Sequence, residues 1–388
     1  MKVTIVQRIL PHYRISFVER LKEQLAMRGI ELELVYGQEL PGTVPRTVPL
    51  HAPWAREIRN RYLTFGSAEL VWQPCLPDLR GSDLIIVEQS NRLLLNYWLQ
   101  ILRPFSRPLL GFWGHGRNMQ SRHPQGLRER FKSALASHVD WWFAYTESSR
   151  DTVLRSGFPE ERITLVNNAV DDEELQRGMR ACSGIEPLQM ARTLGCSSGN
   201  VALFCGGLHR EKRIDFLLRA AERVRALVPD FELLVVGDGP ERPRIEEASR
   251  RLPWINYAGA RMGESRAQYF HASKLLMMPG MVGLVIVDSF IGRCPMFTTE
   301  FPYHSPEIAY LRSGYNGCMT ADDLESYAQA VAQHLKQPQV LDGLKAGCDE
   351  SARRYSLSSM VANFAGGVER CLKESTRGAR ENAGPARP

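Results

Sequence analysis

The stretch NVALFCGGLHREKRIDFLLRAAERVRALVPDFELLVVGDGP, residues 200–240, decides the fold. An apolar run of strand length is followed by a glycine-containing turn, an amphipathic run of helix length and a second apolar run. Two strands joined by a helix of this kind form a β-α-β unit with parallel strands. The alternation continues through INYAG, KLLMMPG and CPMFTTE. We therefore predict an α/β layer domain in this part of the chain.

The first part of the chain shows the same alternation, beginning with KVTIVQ and the helix pattern ISFVERLKEQLAMRG. Residues 180–200 are richer in Gly, Ser and Cys and have weaker periodicity, which is typical of an interdomain segment. The sequence therefore predicts two Rossmann-like domains. The predicted boundaries are 1–180 for the N-terminal domain, 181–352 for the C-terminal domain, 353–374 for a last helix and 375–388 for a disordered tail.

Composition limits the class of protein. The 388 residues carry a net charge of +6 without a basic stripe, so we expect no nucleic-acid partner. None of the eight cysteines lies in a Cys-x-x-Cys pair, which favours reduced thiols. The N-terminus lacks a signal-peptide pattern, and the uncharged run Leu275–Val287 is shorter than the roughly 20 residues that span a bilayer. We expect a cytoplasmic protein; peripheral contact with the inner face of a membrane is the alternative.

Polar residues follow several predicted strands, and ligands of open parallel sheets bind beyond the carboxyl ends of the strands. Neither turn that opens a half carries Gly-x-Gly-x-x-Gly, which argues against a dinucleotide cofactor. No Asp-x-Asp occurs either, so we expect no metal-dependent diphosphate clamp of that kind. The candidate residues at strand ends are His12, Arg14, Glu88, His115 and Arg117 in the first half, and Arg210, Lys212, Asp238, His304 and Glu307 in the second.

The second half of the chain contains five motifs that follow one another in the order of a known family. They are GGLHREKRIDFLLRA, VVGDGPER, INYAGAR, YFHASKLLMMPGMVGLVIVDSFIGRCPMFTT and SPEIAYLRSGYNG. This half resembles the donor-binding domain of the family 4 retaining glycosyltransferases. The resemblance implies the GT-B fold, with two Rossmann-like domains facing across a cleft and the last helix crossing back to the first domain. It also implies a nucleotide-diphosphate sugar as donor and a hydroxyl acceptor, and it requires no metal.

The resemblance assigns roles to residues. The helix after Gly283 would present its N–H groups to the diphosphate, and Lys212 and Arg210 would add positive charge. Asp288 takes the place of the acid that holds the ribose, and His115 would face the donor sugar. The chain departs from the family at Gly280, where the first acid of the Glu-x7-Glu motif is expected, and at Gly207, where an arginine is usual. The predicted catalytic residues are His115, Lys212 and Arg210, and the predicted donor-binding residues are Gly206, Gly207, Asp238, Gly239, Gly280, Gly283, Leu284, Val285 and Asp288.

The acceptor or sugar side is predicted to involve His12, Arg14, Glu88, Arg117, His304 and Glu307. The acceptor would be a saccharide, a lipid-linked compound or a small molecule, as in the biosynthesis of polysaccharide, lipopolysaccharide or another glycoconjugate. Two alternatives remain open at this point. One is a nucleotide-sugar-binding protein with weak or no transfer activity, and the other is a GT-B enzyme of different chemistry, such as an epimerase.

Overall fold

A computed structural model of the chain describes residues 1–40, 42, 47–66, 68–103, 108–116 and 138–382. The chain divides into two compact units. The first unit comprises Met1–Asp171 together with the chain from Leu357 onward, and the second comprises Asp172–Ser356.

The described residues of the first unit form a parallel sheet in the order β3-β2-β1-β6-β7-β8-β9 and a separate antiparallel hairpin, β4-β5. The central strands are apolar on both faces because helices cover both sides of the sheet. The strands are β1 (Lys2–Gln7), β2 (Glu31–Tyr36), β3 (Ala55–Glu57), β4 (Arg61–Phe65), β5 (Ala68–Trp72), β6 (Leu84–Glu88), β7 (Leu109–Gly114), β8 (Trp141–Ala144) and β9 (Ile163–Leu165).

The helices described in the first unit begin with α1, which buries Phe17, Val18, Leu21 and Leu25 at helical spacing against the sheet. Thr146 caps α3 by accepting a hydrogen bond from the Ser149 N–H at 3.2 Å. These helices are α1 (Ile15–Ala26), α2 (Leu94–Leu102), α3 (Glu147–Arg155) and the last helix of the chain, α12 (Leu357–Asn382).

The second unit, all of whose residues are described, has a parallel sheet in the order β12-β11-β10-β13-β14-β15. Residues 200–240 form β10, α6 and β11, as predicted. The strands are β10 (Asn200–Cys205), β11 (Phe231–Val236), β12 (Ile255–Gly259), β13 (Leu275–Met277), β14 (Met296–Thr299) and β15 (Gly317–Thr320). The helices are α4 (Glu173–Cys182), α5 (Pro187–Thr193), α6 (Ile214–Leu227), α7 (Arg242–Arg251), α8 (Ala267–Ala272), α9 (Val285–Ile291), α10 (Leu324–Leu335) and α11 (Pro338–Arg354).

The boundaries between the units differ from those predicted. The second unit begins at Asp172 rather than at residue 181, because α4 packs on α8: a Cβ at Gly178 would lie 2.6 Å from the Ala267 Cβ. The segment 180–200 is not a linker, since α5 buries Met190 and Ala191 in the core of the second unit. The Gly and Ser content of this segment wrongly indicated a linker, because a few apolar side chains suffice to anchor a short helix.

The last helix also differs in extent from the prediction. α12 begins at Leu357 rather than at residue 353, and its backbone is helical to Asn382, beyond the predicted end at 374. Phe364 stacks on Phe143 of β8 with ring centroids 4.3 Å apart, which ties α12 into the first unit. The predicted disordered tail is therefore helical in its first part, and residues 383–388 lie outside the described residues.

Candidate active site

The candidate ligand edge of the second unit lies where the strand order reverses. β10 has β11 on one side and β13 on the other, so the chain leaves these strands in opposite directions. Open parallel sheets bind ligands at such a switch point, beyond the carboxyl ends of the strands. Lys212 lies in the turn Arg210–Lys212 after β10, and Gly280 lies in the turn after β13. The structure brings these two turns into contact.

Lys212 is a buried cation at this edge, with only 8% of its surface exposed. Its Nζ donates a hydrogen bond to the Met281 carbonyl oxygen at 2.5 Å. Burial lowers the pKa of the Lys212 ammonium to about 8, an effect that Cys205 and Glu211 oppose. An ammonium with one hydrogen on a neutral carbonyl retains two for a ligand. The position is suited to an anionic group such as a phosphate.

Gly280 packs directly on the backbone that carries Lys212. A Cβ at Gly280 would lie 2.3 Å from the Glu211 carbonyl oxygen and 2.6 Å from the Lys212 carbonyl carbon. Because both are backbone atoms, neither can rotate away. The Met281 N–H donates to the same Glu211 oxygen at 2.8 Å and closes the contact between the two turns. The acid that the resemblance leads one to expect at position 280 therefore has no room in this arrangement.

Gly283 has a different environment. A Cβ there would lie 3.7 Å from Ser305 Oγ, which is an ordinary contact. Leu284 caps α9, and Val285 is its first residue. The N–H groups of Ile286 and Val287 donate to the Gly283 and Leu284 carbonyl oxygens. The predicted helix is present, but it has only 7 residues.

Asp288 lies in α9 and is buried, with 6% of its surface exposed. Its Oδ2 accepts a hydrogen bond from Arg266 Nη1 at 2.5 Å. Burial raises the pKa of the Asp288 carboxyl, and the Arg266 guanidinium opposes that shift. The other oxygen, Oδ1, is buried and has no hydrogen-bond partner among the residues that the structure describes. The predicted ribose-binding carboxylate is thus held by an arginine, and one of its oxygens is unsatisfied.

Two glycine-containing loops beyond β10 and β11 interlock. The Leu208 N–H donates to the Asp238 carbonyl oxygen at 2.9 Å, and the Glu241 N–H donates to the Leu208 carbonyl oxygen at 2.9 Å. Gly239 has φ +154°, and a Cβ there would lie 2.6 Å from the Leu208 carbonyl oxygen. The Asp238 carboxylate is half-exposed and accepts the Gly239 N–H at 2.8 Å. These predicted donor-binding residues share one edge with Lys212.

In the loop after β10, the remaining predicted residues are either exposed or contact a side chain that can move. Gly206 has φ +153° and approaches Met278, while a Cβ at Gly207 would meet the movable His209 ring at 2.7 Å. Arg210 is exposed in the turn before Lys212. The structure therefore places Arg210 beside Lys212 but does not bury it with Lys212.

His304 and Glu307, predicted on the acceptor or sugar side, belong to the same edge of the second unit. His304 Nδ1 accepts the Val282 N–H at 3.0 Å, and Nε2 lies 2.9 Å from the Thr299 carbonyl oxygen. Glu307 is buried, with 5% of its surface exposed. Both ring nitrogens of His304 are engaged within the unit, so the ring supports the turn Pro279–Gly283 directly.

The candidate ligand edge of the first unit contains a buried arginine. Arg14 is 7% exposed, and its Nη2 donates to Asn168 Oδ1 at 2.7 Å. Its guanidinium carbon lies 4.9 Å from the ring centroid of Trp113 and 5.6 Å from that of Tyr145. Aromatic faces attract a cation and offset part of the cost of burying it. Arg14, predicted on the acceptor or sugar side, is held in the interior of its unit.

His115 follows β7 and lies beside this cluster. Its ring centroid is 4.3 Å from that of Tyr145. Burial, with a smaller contribution from the Arg14 charge, lowers the pKa of His115 to about 4. The ring is therefore neutral at pH 7, and its Nδ1 has no hydrogen-bond partner among the described residues. A neutral imidazole can donate to or accept from a hydroxyl group.

The other predicted residues of the first unit are more peripheral. His12 is exposed and makes an edge-on contact with the Tyr13 ring. Glu88, at the end of β6, accepts the Arg8 N–H at 3.4 Å. Arg117 lies outside the described residues. The structure does not bring His12 or Glu88 into the buried cluster around Arg14.

The second unit is similar in sequence to a known family. The family model described as "Glycosyl transferases group 1" matches residues 199–337, within the second unit. The chain is similar to the alpha-D-kanosaminyltransferase of Streptomyces kanamyceticus, with 21% identity over 65% of this chain and 68% of that protein. The second unit thus carries a domain of the group 1 glycosyl transferases, in a chain of the GT-B fold, and the protein is a glycosyltransferase.

Solved structures support the fold of this glycosyltransferase over its length. The structure of HepE from Anabaena in complex with UDP has a TM-score of 0.67 at 14% identity and covers 95% of this chain and 100% of that one. Sucrose-phosphate synthase from Thermosynechococcus elongatus has a TM-score of 0.66 at 17% identity, covering 97% and 100%. At these identities the likeness is one of fold.

Two arginines at the candidate site of the second unit were not predicted. Arg266 pairs with Asp288, and Arg213, in the left-handed region with φ 57°, donates to Thr299 Oγ1 at 3.3 Å. Arg213 also pairs with Asp322 and lies 4.3 Å from the Phe216 ring centroid. Neither arginine carries a sequence signal that separates it from a solvated helix residue, because their partners are far away along the chain.

The part of the chain that the structure describes lacks two kinds of feature. In this part of the chain, no three His, Cys, Asp or Glu side chains are placed to hold a metal ion together. Among the same residues, no helix has both the length and the apolar character needed to cross a membrane.

Proposed function

We propose that this glycosyltransferase transfers a sugar from a nucleotide-diphosphate sugar to a hydroxyl acceptor with retention of configuration at the anomeric carbon. We propose further that it acts without a metal ion, in the biosynthesis of polysaccharide, lipopolysaccharide or another glycoconjugate. The UDP bound by the structurally similar HepE supports a nucleotide-sugar donor.

The observation that carries the proposal is the buried ammonium of Lys212 at the switch point of the donor-side sheet. Breaking the bond between sugar and diphosphate builds negative charge on the leaving phosphate. A fixed cation in a site of low dielectric stabilises that charge more strongly than water does. Lys212 is already desolvated and held by Met281, so it needs little rearrangement when the charge develops.

The chemistry balances without a protein nucleophile. The bond between the anomeric carbon and the phosphate oxygen breaks, while the acceptor oxygen bonds to the same face of that carbon. The acceptor's proton passes to the departing phosphate oxygen. Asp288, the acid of α9, is paired with Arg266 and is proposed to hold the ribose. His115, neutral and with an unsatisfied Nδ1, is proposed to contact the donor sugar.

The acceptor is proposed to be a saccharide, a lipid-linked compound or a small molecule. Peripheral contact with the inner face of a membrane belongs to the same proposal. It is supported by one face of α2, where Trp98, Ile101 and Leu102 are exposed at helical spacing.

The proposal is tested first by the variant Lys212→Met, with the exposed Lys336→Met as the matched control. The nucleotides are UDP, GDP, ADP and dTDP, measured by calorimetry in buffer containing EDTA. Loss of a charge-assisted hydrogen bond of about 1.5–3 kcal/mol should weaken the tightest of them roughly 10- to 150-fold in Lys212→Met. The control should bind like the wild type.

The pH dependence of this binding gives a second test. Below its pKa of about 8 Lys212 is charged, and a bound diphosphate raises that pKa. Wild-type affinity should therefore fall as the pH rises above about 8, by up to about tenfold per unit, and Lys212→Met should lack this fall. His115→Ala should reduce sugar transfer more than nucleotide affinity. Equal nucleotide affinity in the wild type and Lys212→Met would refute the proposed site.

A further inference from the structure

The turn Pro279–Gly283 is fixed from two sides. Thr299 Oγ1 donates to the Pro279 carbonyl oxygen at 3.0 Å. The Ser305 N–H donates to the Val282 carbonyl oxygen at 2.9 Å, and the Val282 N–H donates to His304 Nδ1 at 3.0 Å. The segment after β14 therefore holds the turn Pro279–Gly283, and this turn contacts Lys212.

One planar peptide group connects His304 with Lys212. The carbonyl of Met281 and the N–H of Val282 belong to the same peptide unit, whose six atoms move together. The N–H end donates to His304 Nδ1, and the carbonyl end accepts from Lys212 Nζ at 2.5 Å. A rotation of this peptide therefore displaces the carbonyl and the N–H together and disturbs both hydrogen bonds. Hydrogen bonds arranged in a row also polarise one another.

The protonation state of His304 follows from its two partners. Thr299 offers a carbonyl oxygen, which only accepts, so the ring hydrogen is on Nε2. The Val282 N–H only donates, so Nδ1 must carry a lone pair. The ring is therefore neutral and held as a single tautomer from both sides.

We propose that His304 is a positioning residue for the reaction: as a neutral imidazole it fixes the Met281–Val282 peptide and thereby places the Lys212 ammonium for the diphosphate. This inference rests on the proposed role of Lys212. It assigns His304 to the donor side, whereas the sequence predicted the acceptor or sugar side.

Protonation of His304 would put a hydrogen on Nδ1 that opposes the Val282 N–H. Burial lowers the pKa of His304, and the Lys212 charge lowers it further, while its bond to the Thr299 carbonyl and the Asp322 carboxylate raise it. Arg213 is the other cation beside this segment, and it is paired with Asp322. Because the shift is downward from 6.5, the neutral form dominates at pH 7 and is lost only at acid pH.

Two substitutions of His304 test the roles of its two ring nitrogens separately. An asparagine oxygen reaches the position of Nδ1 and can still accept the Val282 N–H, whereas a glutamine amide reaches the position of Nε2 and cannot. We measure the affinity of the tightest binder among UDP, GDP, ADP and dTDP for the full chain, alone and in the Lys212→Met background. We expect His304→Gln to weaken binding about tenfold and His304→Asn to stay within about twofold of the wild type. In the Lys212→Met background, His304→Gln should have no further effect.

The pH profile provides a readout that a merely structural role would not change. The ratio of wild-type to His304→Asn affinity cancels the titration of the phosphates. This ratio should be constant above pH 6.5 and fall as the pH is lowered below it, because asparagine does not titrate. The pH ratio alone decides the question if His304→Gln does not fold.

The outcomes distinguish this inference from the proposed function. Equal weakening by the asparagine and glutamine variants, or a constant affinity ratio at acid pH, would overturn the role of His304 while leaving that of Lys212. Unchanged affinity in Lys212→Met would refute the proposed function, and the inference with it.

Discussion

The two sheets of the glycosyltransferase hold their buried cations by different means. In the second unit, Lys212 is fixed by a backbone carbonyl of a turn that packs on it through Gly280. In the first unit, Arg14 is fixed largely by side chains, with aromatic rings over its guanidinium. A cation held by one carbonyl keeps hydrogens for a ligand, and the turn that holds it has no room for an added atom at Gly280. A cation enclosed by rings keeps its charge, and the charge of Arg14 adds to burial, the larger cause, in lowering the pKa of His115.

The largest effect is expected from a substitution that breaks the buried ion pair of the second unit. Asp288→Ala leaves the Arg266 guanidinium without its carboxylate in a largely buried position. Removing one partner of a buried pair costs about 3–5 kcal/mol of unfolding free energy. The matched control is Asp349→Ala, which breaks the exposed pair with Arg293 and should cost less than about 1 kcal/mol. Chemical denaturation of both variants measures the difference, and equal losses would contradict the comparison.

A smaller effect is expected from a single added methyl group in the turn after β13. Gly280→Ala places a Cβ 2.3 Å from a backbone oxygen, whereas Gly283→Ala places one at 3.7 Å from a hydroxyl. Overpacking against backbone should destabilise the first variant by about 1–3 kcal/mol. The second should change stability by about 1 kcal/mol or less in either direction. Thermal and chemical unfolding check both. If Gly280→Ala is as stable as Gly283→Ala, the turns are not locked together as described.

The smallest expected effect concerns the first unit. Arg14→Met removes the charge that lowers the pKa of His115 but leaves the burial that is the larger cause. The pKa of His115 should therefore rise from about 4 and stay below 6.5. The titration of the His115 ring protons by NMR measures this shift, with the exposed Arg61→Met as control. An unchanged pKa would show that the rings screen Arg14 from His115, and a pKa above 6.5 would show that the histidine is not buried.

The sequence predicted much of both sheets because their strands are short apolar runs with polar ends. The predicted limits of KVTIVQ and INYAG coincide with β1 and β12. Elements with weaker patterns were not predicted. Examples are the hairpin of β4 and β5, and β15, whose four residues GCMT are only partly buried. The position of such an edge strand depends on what lies beside it rather than on its own composition.

The sequence predicted which strand ends carry the candidate residues, but not which side chains and turns surround them. Lys212 and Gly280 could be placed near each other, since both follow strands at the switch point. That Gly280 has no room for a side chain depends on contact between turns about 70 residues apart along the chain. The partners of Asp288 and His304 were equally inaccessible, because nothing in a local pattern specifies which distant side chain it will meet.

By itself, therefore, the sequence determined the alternation of strands and helices, the two-domain α/β architecture and the edge of each sheet at which the candidate ligand-binding residues lie. These depend on local periodicity, which acts over a few residues. Only the tertiary structure decided that α4 belongs to the second unit, that Arg14 is enclosed by rings and that one peptide group links His304 to Lys212. The physical reason is that burial and hydrogen bonding depend on which surfaces meet when the chain is packed.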